Sequence, residues 1–119
     1  MKAIVINKDK SLSWQEVPDP ILREDEVLIK VAYAAVNRAD LMQREGNYPP
    51  PQGCPEWPGL EVSGTIVKMG KAASEKSRRK VGDKVCALLG GGGYAEYVSV
   101  NYDMVMPVPE NCSMAEATA

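Results

Sequence analysis

Apolar positions along this chain come in short bursts separated by charges, glycines and prolines, a spacing that suits strands better than helices. Ala3-Ile4-Val5-Ile6 is halted by Asn7-Lys8-Asp9-Lys10. Leu12, Trp14 and Val17 follow before Pro18 and Pro20 interrupt, so this segment reads as an edge strand ending in a turn. Between Glu26 and Val36, Val27, Ile29, Val31 and Tyr33 fall on one face. Leu28 and Lys30 share the other face with Ala32 and Ala34, the pattern of a strand first half-buried and then fully buried. Further strands are expected at Glu61–Met69, Val81–Leu89, Tyr94–Val100 and Asp103–Val108. Six or seven short strands with Gly and Pro between them predict a mainly β fold, a small antiparallel sandwich or barrel.

Helical signals are few and local. Asn37 is placed as an N-cap, and Asp40, three residues on, can answer the cap's own N–H. Val36 and Leu41 take the hydrophobic-staple positions, and Gly46 is a C′ stop, so a two-turn helix is expected over Arg38–Glu45. Ser113-Met114-Ala115-Glu116 is a second capping box, and Ala117-Thr118-Ala119 follow it. A helix started there has too few residues to stand alone in water. A start signal without a stop signal leads us to expect that the natural polypeptide continues and that residues 1–119 are a fragment of it.

Composition narrows the chemistry. The 119 residues suit one domain. The chain has no His, which excludes a Ser–His–Asp triad, a Cys–His pair and any imidazole metal ligand. Its cysteines, Cys54, Cys86 and Cys112, are odd in number and none lie at CxxC spacing, so free thiols in a reducing, cytoplasmic setting are expected and no metal site is read. MKAIVINKDK is not a signal peptide, and no run approaches the apolar length of a membrane span.

Two segments invite a binding role and are better read as structure. Lys68 to Lys84 carries a net charge of +5, leaving −7 on the remainder. No aromatic residue interrupts its centre, KAASEKSRRK, so a solvated loop between two strands is expected rather than a nucleic-acid surface. Gly90–Gly93 lacks the Lys-Ser/Thr of a phosphate loop, and a strand rather than a helix follows it. A flexible or bulged connection is expected there, one that can still border a pocket. The densest polar constellation is Asn37, Asp40, Arg44, Asn47 and Tyr48, with Glu61 beyond. Tyr48 precedes three prolines that stiffen the chain, so its phenol can be held at a loop mouth and donate a hydrogen bond into a cleft.

Four segments, taken in order, carry a resemblance. Asn37 to Arg44 with Gly46, Tyr48 and the proline run, then Pro58-Gly59-Leu60-Glu61-Val62-Ser63-Gly64, then Val81-Gly82-Asp83-Lys84-Val85, then Gly93-Tyr94-Ala95-Glu96-Tyr97-Val98 resemble the quinone oxidoreductase branch of the medium-chain dehydrogenase/reductase superfamily. The resemblance implies a GroES-like, partly open β-barrel with one or two short helices, spanning 1–119 and followed in the full enzyme by a Rossmann domain. It implies NADPH in the cleft between the two and hydride transfer to a quinone-like acceptor. Asn37, Asp40 and Tyr48 would line the nicotinamide side, with Tyr48 the catalytic hydrogen-bond donor and Asp40 ordering the helix start. Glu61 sits at the signature glutamate position, where a structural role is expected, and Leu89 with the glycine loop would border the substrate opening. Asn37 and Leu60 occupy the positions where the zinc branch keeps a Cys and a His, so a zinc-free member is implied. Further implications are a homodimeric full-length protein, no nucleic-acid or membrane partner, and little activity for residues 1–119 alone. An enoyl or alkenal substrate, or a non-enzymatic GroES-like binding module, are the alternatives.

Overall fold

The computed structural model describes residues 1–46, 51 and 54–118. Among the described residues, seven strands and three short helices follow one another: β1 (Lys2–Ile6), β2 (Leu12–Glu16), β3 (Glu26–Ala34), α1 (Arg38–Arg44), β4 (Glu61–Met69), α2 (Lys71–Lys76), β5 (Lys84–Leu88), β6 (Tyr97–Asn101), β7 (Val105–Pro107) and α3 (Met114–Thr118). Five strands form one antiparallel sheet in the order β6-β3-β4-β5-β7, which is not closed into a barrel, and β1 and β2 form a separate hairpin. The fold is mainly β, as the strand pattern and the GroES-like resemblance predict.

Alternation along β3 and β4 decides which face becomes the core. Val27, Ile29, Val62, Ile66 and Val85 are fully buried, while Lys30 is exposed between Ile29 and Val31. Each such aliphatic side chain contributes about 1.5–3 kcal/mol on leaving water. The pairing of β3 with β4 shifts register at Leu28/Ile29 and at Val31/Tyr33. Bulges of this kind increase local twist and curve a sheet. Gly64 lies where β3 crosses closest, since a Cβ there would overlap the Lys30 carbonyl.

The hairpin of β1 and β2 pairs Ile4 with Trp14 and joins the sheet's edge through Tyr94–Glu96. The Ile4 N–H donates to the Tyr94 carbonyl at 2.8 Å, and the Glu96 N–H donates to the Lys2 carbonyl at 3.1 Å. These bonds shorten the expected Tyr94–Val100 strand, because residues 94–96 pair with β1 before β6 begins at Tyr97. The Val81–Leu89 expectation contracts for a similar reason: Gly82, at φ +97°, makes a turn, and regular pairing starts at Lys84. At the other end the Asn101 side chain accepts from the Asp103 N–H at 2.9 Å, winding Tyr102–Met104 into a 3₁₀ turn ahead of β7.

The basic segment is not the loop expected of it. Lys71–Lys76 forms α2 because Ala72, Ala73, Glu75 and Lys76 favour helix and Ala73 is fully buried against the core. The Ala73 N–H also donates to the Glu24 carbonyl at 2.8 Å, which pins the helix to the chain entering β3.

At the C-terminal end the capping box forms as read. The Glu116 N–H donates to Ser113 Oγ at 3.1 Å, and the Ser113 N–H donates to the Glu116 carboxylate at 3.0 Å. The Ser113 N–H first, and then the Ser113 hydroxyl, hydrogen-bond the Glu116 carboxylate and hold it below its ordinary pKa. Ser63 Oγ, buried in β4, donates to the Met114 carbonyl at 2.7 Å and meets the Thr118 hydroxyl, so α3 is fastened across the outer side of the sheet. Among the described residues no helix is long and apolar enough to cross a membrane.

Candidate functional site

The end of β3 delivers the chain to α1 through Ala35, Val36 and Asn37. Asn37 is extended at φ −124°, ψ 157°, the backbone an N-cap requires. Its N–H donates to Asp40 Oδ2 at 2.9 Å, and the Asp40 N–H donates to the Asn37 carbonyl at 3.0 Å. The expected Arg38–Glu45 helix closes one residue early, at Arg44, and Gly46 follows at φ +85° with its N–H on the Gln43 carbonyl. The hydrophobic staple buries little, because Val36 is 79% exposed.

Asp40 is only 6% exposed, and its carboxyl serves more than the cap. Oδ2 also accepts from the Tyr94 hydroxyl at 2.6 Å, and Oδ1 accepts from the Gly59 N–H at 3.3 Å. One carboxyl therefore ties together the start of α1, the Pro58-Gly59-Leu60-Glu61 segment and the strand after the glycine loop. Burial first, and then the hydrogen bond and charge of Asp40, push the Tyr94 phenol well above its ordinary pKa of 10.0, so it stays a donor throughout the neutral range. The Ala35 carbonyl lies 3.2 Å from the same hydroxyl and shares its single proton.

Glycines permit this convergence. Gly59 sits at φ +119°, and a Cβ there would overlap the backbone of Gly93 and Tyr94. The Gly93 N–H donates to the Gly59 carbonyl at 3.0 Å, and the Gly92 N–H donates to the Trp57 carbonyl at 2.8 Å. Gly91, Gly92 and Gly93 are buried against the Pro55–Gly59 segment, so the run acts as a packed crossing rather than a flexible connection. Leu89 packs against the core, with its N–H on the Leu60 carbonyl at 2.7 Å.

The sequence-predicted site residues do not all converge. Asn37 and Asp40 are brought together, and the Asn37 amide has its Nδ2 buried with no hydrogen-bond partner among the described residues. Tyr48 and Asn47 lie outside the described residues. Glu61 opens β4 opposite Leu88 and lines a groove of about 120 Å³ with Cys86, Met106 and Thr118. Arg44 turns the other way and donates from Nε to the Lys10 carbonyl at 2.6 Å, bracing the β1–β2 turn where Lys10 holds φ 68°. Among the described residues no three His, Cys, Asp or Glu side chains are grouped to hold a metal ion.

Sequence reasoning missed Tyr94 as a member of this site. The signal was indirect: a carboxyl assigned to a helix start, next to an apolar run, calls for additional donors once the chain folds over it. Tyr94, in the Gly93-Tyr94-Ala95-Glu96 segment, was the available hydroxyl.

The family model described as the alcohol dehydrogenase GroES-like domain matches residues 23–110. A trans-enoyl reductase of Aspergillus flavipes is 37% identical over 110 residues, covering 86% of this chain and 29% of that protein. A chloroplastic quinone-oxidoreductase homologue of Spinacia oleracea is 37% identical over 108 residues, covering 87% of this chain and 31% of its own. The quinone oxidoreductase of Thermus thermophilus, solved also in complex with NADPH, superposes with a TM-score of 0.76 at 32% identity over 99% of this chain and 36% of that one. The chain thus spans about a third of the length of the relatives it matches.

Proposed function

The chain belongs to the alcohol dehydrogenase GroES-like domain family of oxidoreductases, and on that premise we propose that it is the substrate-side domain of a zinc-independent, NADPH-dependent oxidoreductase whose acceptor is a quinone. The observation that carries the reading is the Asn37 side-chain amide at the head of α1, whose Nδ2 is buried with no hydrogen-bond partner among the described residues, on a backbone that Asp40 holds. A buried donor without an acceptor is costly unless a ligand supplies one, and the carboxamide and ribose of a nicotinamide nucleotide offer such acceptors. The residues therefore fit the cofactor, and the chemistry supplied by bound NADPH is a hydride.

The roles left to the protein are modest. Asn37 donates to the bound nucleotide through Nδ2, and Tyr48 donates to the acceptor oxygen or the nicotinamide. Asp40 is a positioning residue that acts through the Asn37 backbone, with Tyr94 and Gly59 completing its shell. The amide of Asn37 and the isobutyl group of Leu60 are poor zinc ligands, which supports a metal-free reaction. Orientation and exclusion of water suffice for hydride transfer, and the acceptor's proton can come from solvent.

An enoyl substrate is the second reading, favoured by the identity to a trans-enoyl reductase. Steady-state oxidation of NADPH by the intact protein, with a quinone series against an enoyl thioester and an alkenal, tests both. We expect the highest kcat/KM for a quinone. Asn37→Ala should raise KM for NADPH by about tenfold, the loss of one hydrogen bond. Turnover confined to enoyl thioesters would replace the acceptor. Absence of turnover, together with an unchanged Tm in NADPH, would favour a non-enzymatic module.

A further inference from the structure

The sheet buries Val27, Ile29, Ile66 and Val85 on one side, and its other side is covered only in part. α3 lies over the stretch that holds Ser63. Beyond it the register sets Lys30, Thr65 and Lys84 in one row across β3, β4 and β5. Tyr97 of β6 stands next to Lys30, and Lys68 of β4 stands opposite Leu28. An open basin of about 470 Å³ occupies this face, lined by Asp19, Pro20, Leu28, Val67, Lys68 and Tyr97.

Three facts distinguish this face from an ordinary solvated one. Lys30, Lys68 and Lys84 are exposed, and the ion pairs formed among the described residues include none of them. Asp19, which lines the basin, holds the Met1 ammonium at 2.8 Å, and Asp83, beside Lys84, accepts from the Lys80 N–H at 3.0 Å. The floor between the cations is apolar, built from Leu28, Val67 and the Tyr97 ring, all half-buried. Positive charge beside a concave apolar floor complements a molecule that is apolar at one end and anionic at the other.

We propose that this basin binds an amphipathic anion, a fatty carboxylate or an alkyl phosphate, with its chain on Leu28, Val67 and Tyr97 and its head on Lys68 and Lys30. A nucleic acid fits less well, since one tyrosine offers a single stacking platform. A bilayer fits less well too, because the apolar surface is recessed behind the lysines instead of protruding.

Equilibrium dialysis of the intact protein with radiolabelled decanoate, kept below its micelle concentration, tests the proposal. Near-UV circular dichroism establishes that each variant is folded. Saturable binding at one site is expected, about tenfold weaker in Lys68→Glu and weaker again with added salt. Lys8→Glu, an equal charge change in the β1–β2 turn, should bind as the wild type does. Decanol should bind at least tenfold less tightly than decanoate, and decyl phosphate should match decanoate if the head is recognised as an anion rather than as a carboxylate. The proposal is overturned by an absence of saturable binding, by equal affinity for decanol, or by equal losses in Lys68→Glu and Lys8→Glu. Lys68-dependent sedimentation with phosphatidylserine vesicles in the absence of decanoate binding would assign the face to a lipid surface and also overturn it.

Discussion

Replacing Tyr94 and Asp40 singly and together measures the bond that joins the glycine-loop strand to α1. Tyr94→Phe removes one hydroxyl and leaves Asp40 with the Asn37 and Gly59 N–H groups. Loss of a hydrogen bond to a charged acceptor costs about 1.5–3 kcal/mol. Asp40→Asn is more severe, because an amide keeps only one oxygen. Its NH₂ then faces a donor on the side of Oδ1 or Oδ2, and the expected loss is about 2–4 kcal/mol. The double variant should cost scarcely more than Asp40→Asn alone, a coupling of about 1.5–3 kcal/mol, since the hydroxyl has no carboxylate left to meet. Urea unfolding followed by tryptophan emission reads this directly: Trp57 is half-buried against the glycine loop, whereas Trp14 is 53% exposed and should change little. With an m-value of roughly 1–3 kcal/mol/M, Tyr94→Phe should move the midpoint by about 1 M. Additivity of the two substitutions within about 0.5 kcal/mol would refute the shared bond.

Further outcomes follow from the same geometry. Gly59→Ala should abolish soluble expression or cost more than about 3 kcal/mol, because φ +119° and the backbone of Gly93 and Tyr94 leave no room for a methyl group; a folded variant of near-native Tm would contradict the crossing. Gly46→Ala, at φ +85° but facing open space, should cost only about 1–2 kcal/mol by the same thermal assay. Ser63→Ala should raise amide exchange across α3 while leaving β3 and β4 protected, and equal protection in both proteins would mean that packing alone holds the helix. Alkaline stability should bear the mark of Tyr94. Its folded pKa lies above the ordinary 10.0, so the folded state holds the phenolic proton longer than the unfolded one. Stability present below pH 10 is then lost as pH rises beyond it, and Tyr94→Phe should flatten that part of the curve.

Period-two alternation, punctuation by Gly and Pro, and cap spacing are properties of neighbouring residues, which is why strands and helix starts are legible along the chain itself. Glu61–Met69 coincides with β4 residue for residue, and both capping-box carboxylates answer their caps. Strand ends were less legible. Tyr94–Glu96 left the expected strand because β1, some ninety residues earlier, competes for its backbone groups. α2 stands where the charge pattern predicts a loop, because the burial of Ala73 against the core, which anchors the helix, leaves no mark in a run of lysines and arginines.

For the site, Asn37 and Asp40 could be singled out from four consecutive residues, and the absence of His restricted the chemistry by composition alone. The sequence alone could not say what a buried Asp40 would be bonded to. Beyond the Asn37 N–H, its donors come from Gly59 and Tyr94, 19 and 54 residues away, and they meet only because glycines let two backbones cross at van der Waals distance. Local pattern decided the elements of this protein; the need to satisfy a buried carboxyl, together with the room that glycine leaves, decided how they converge.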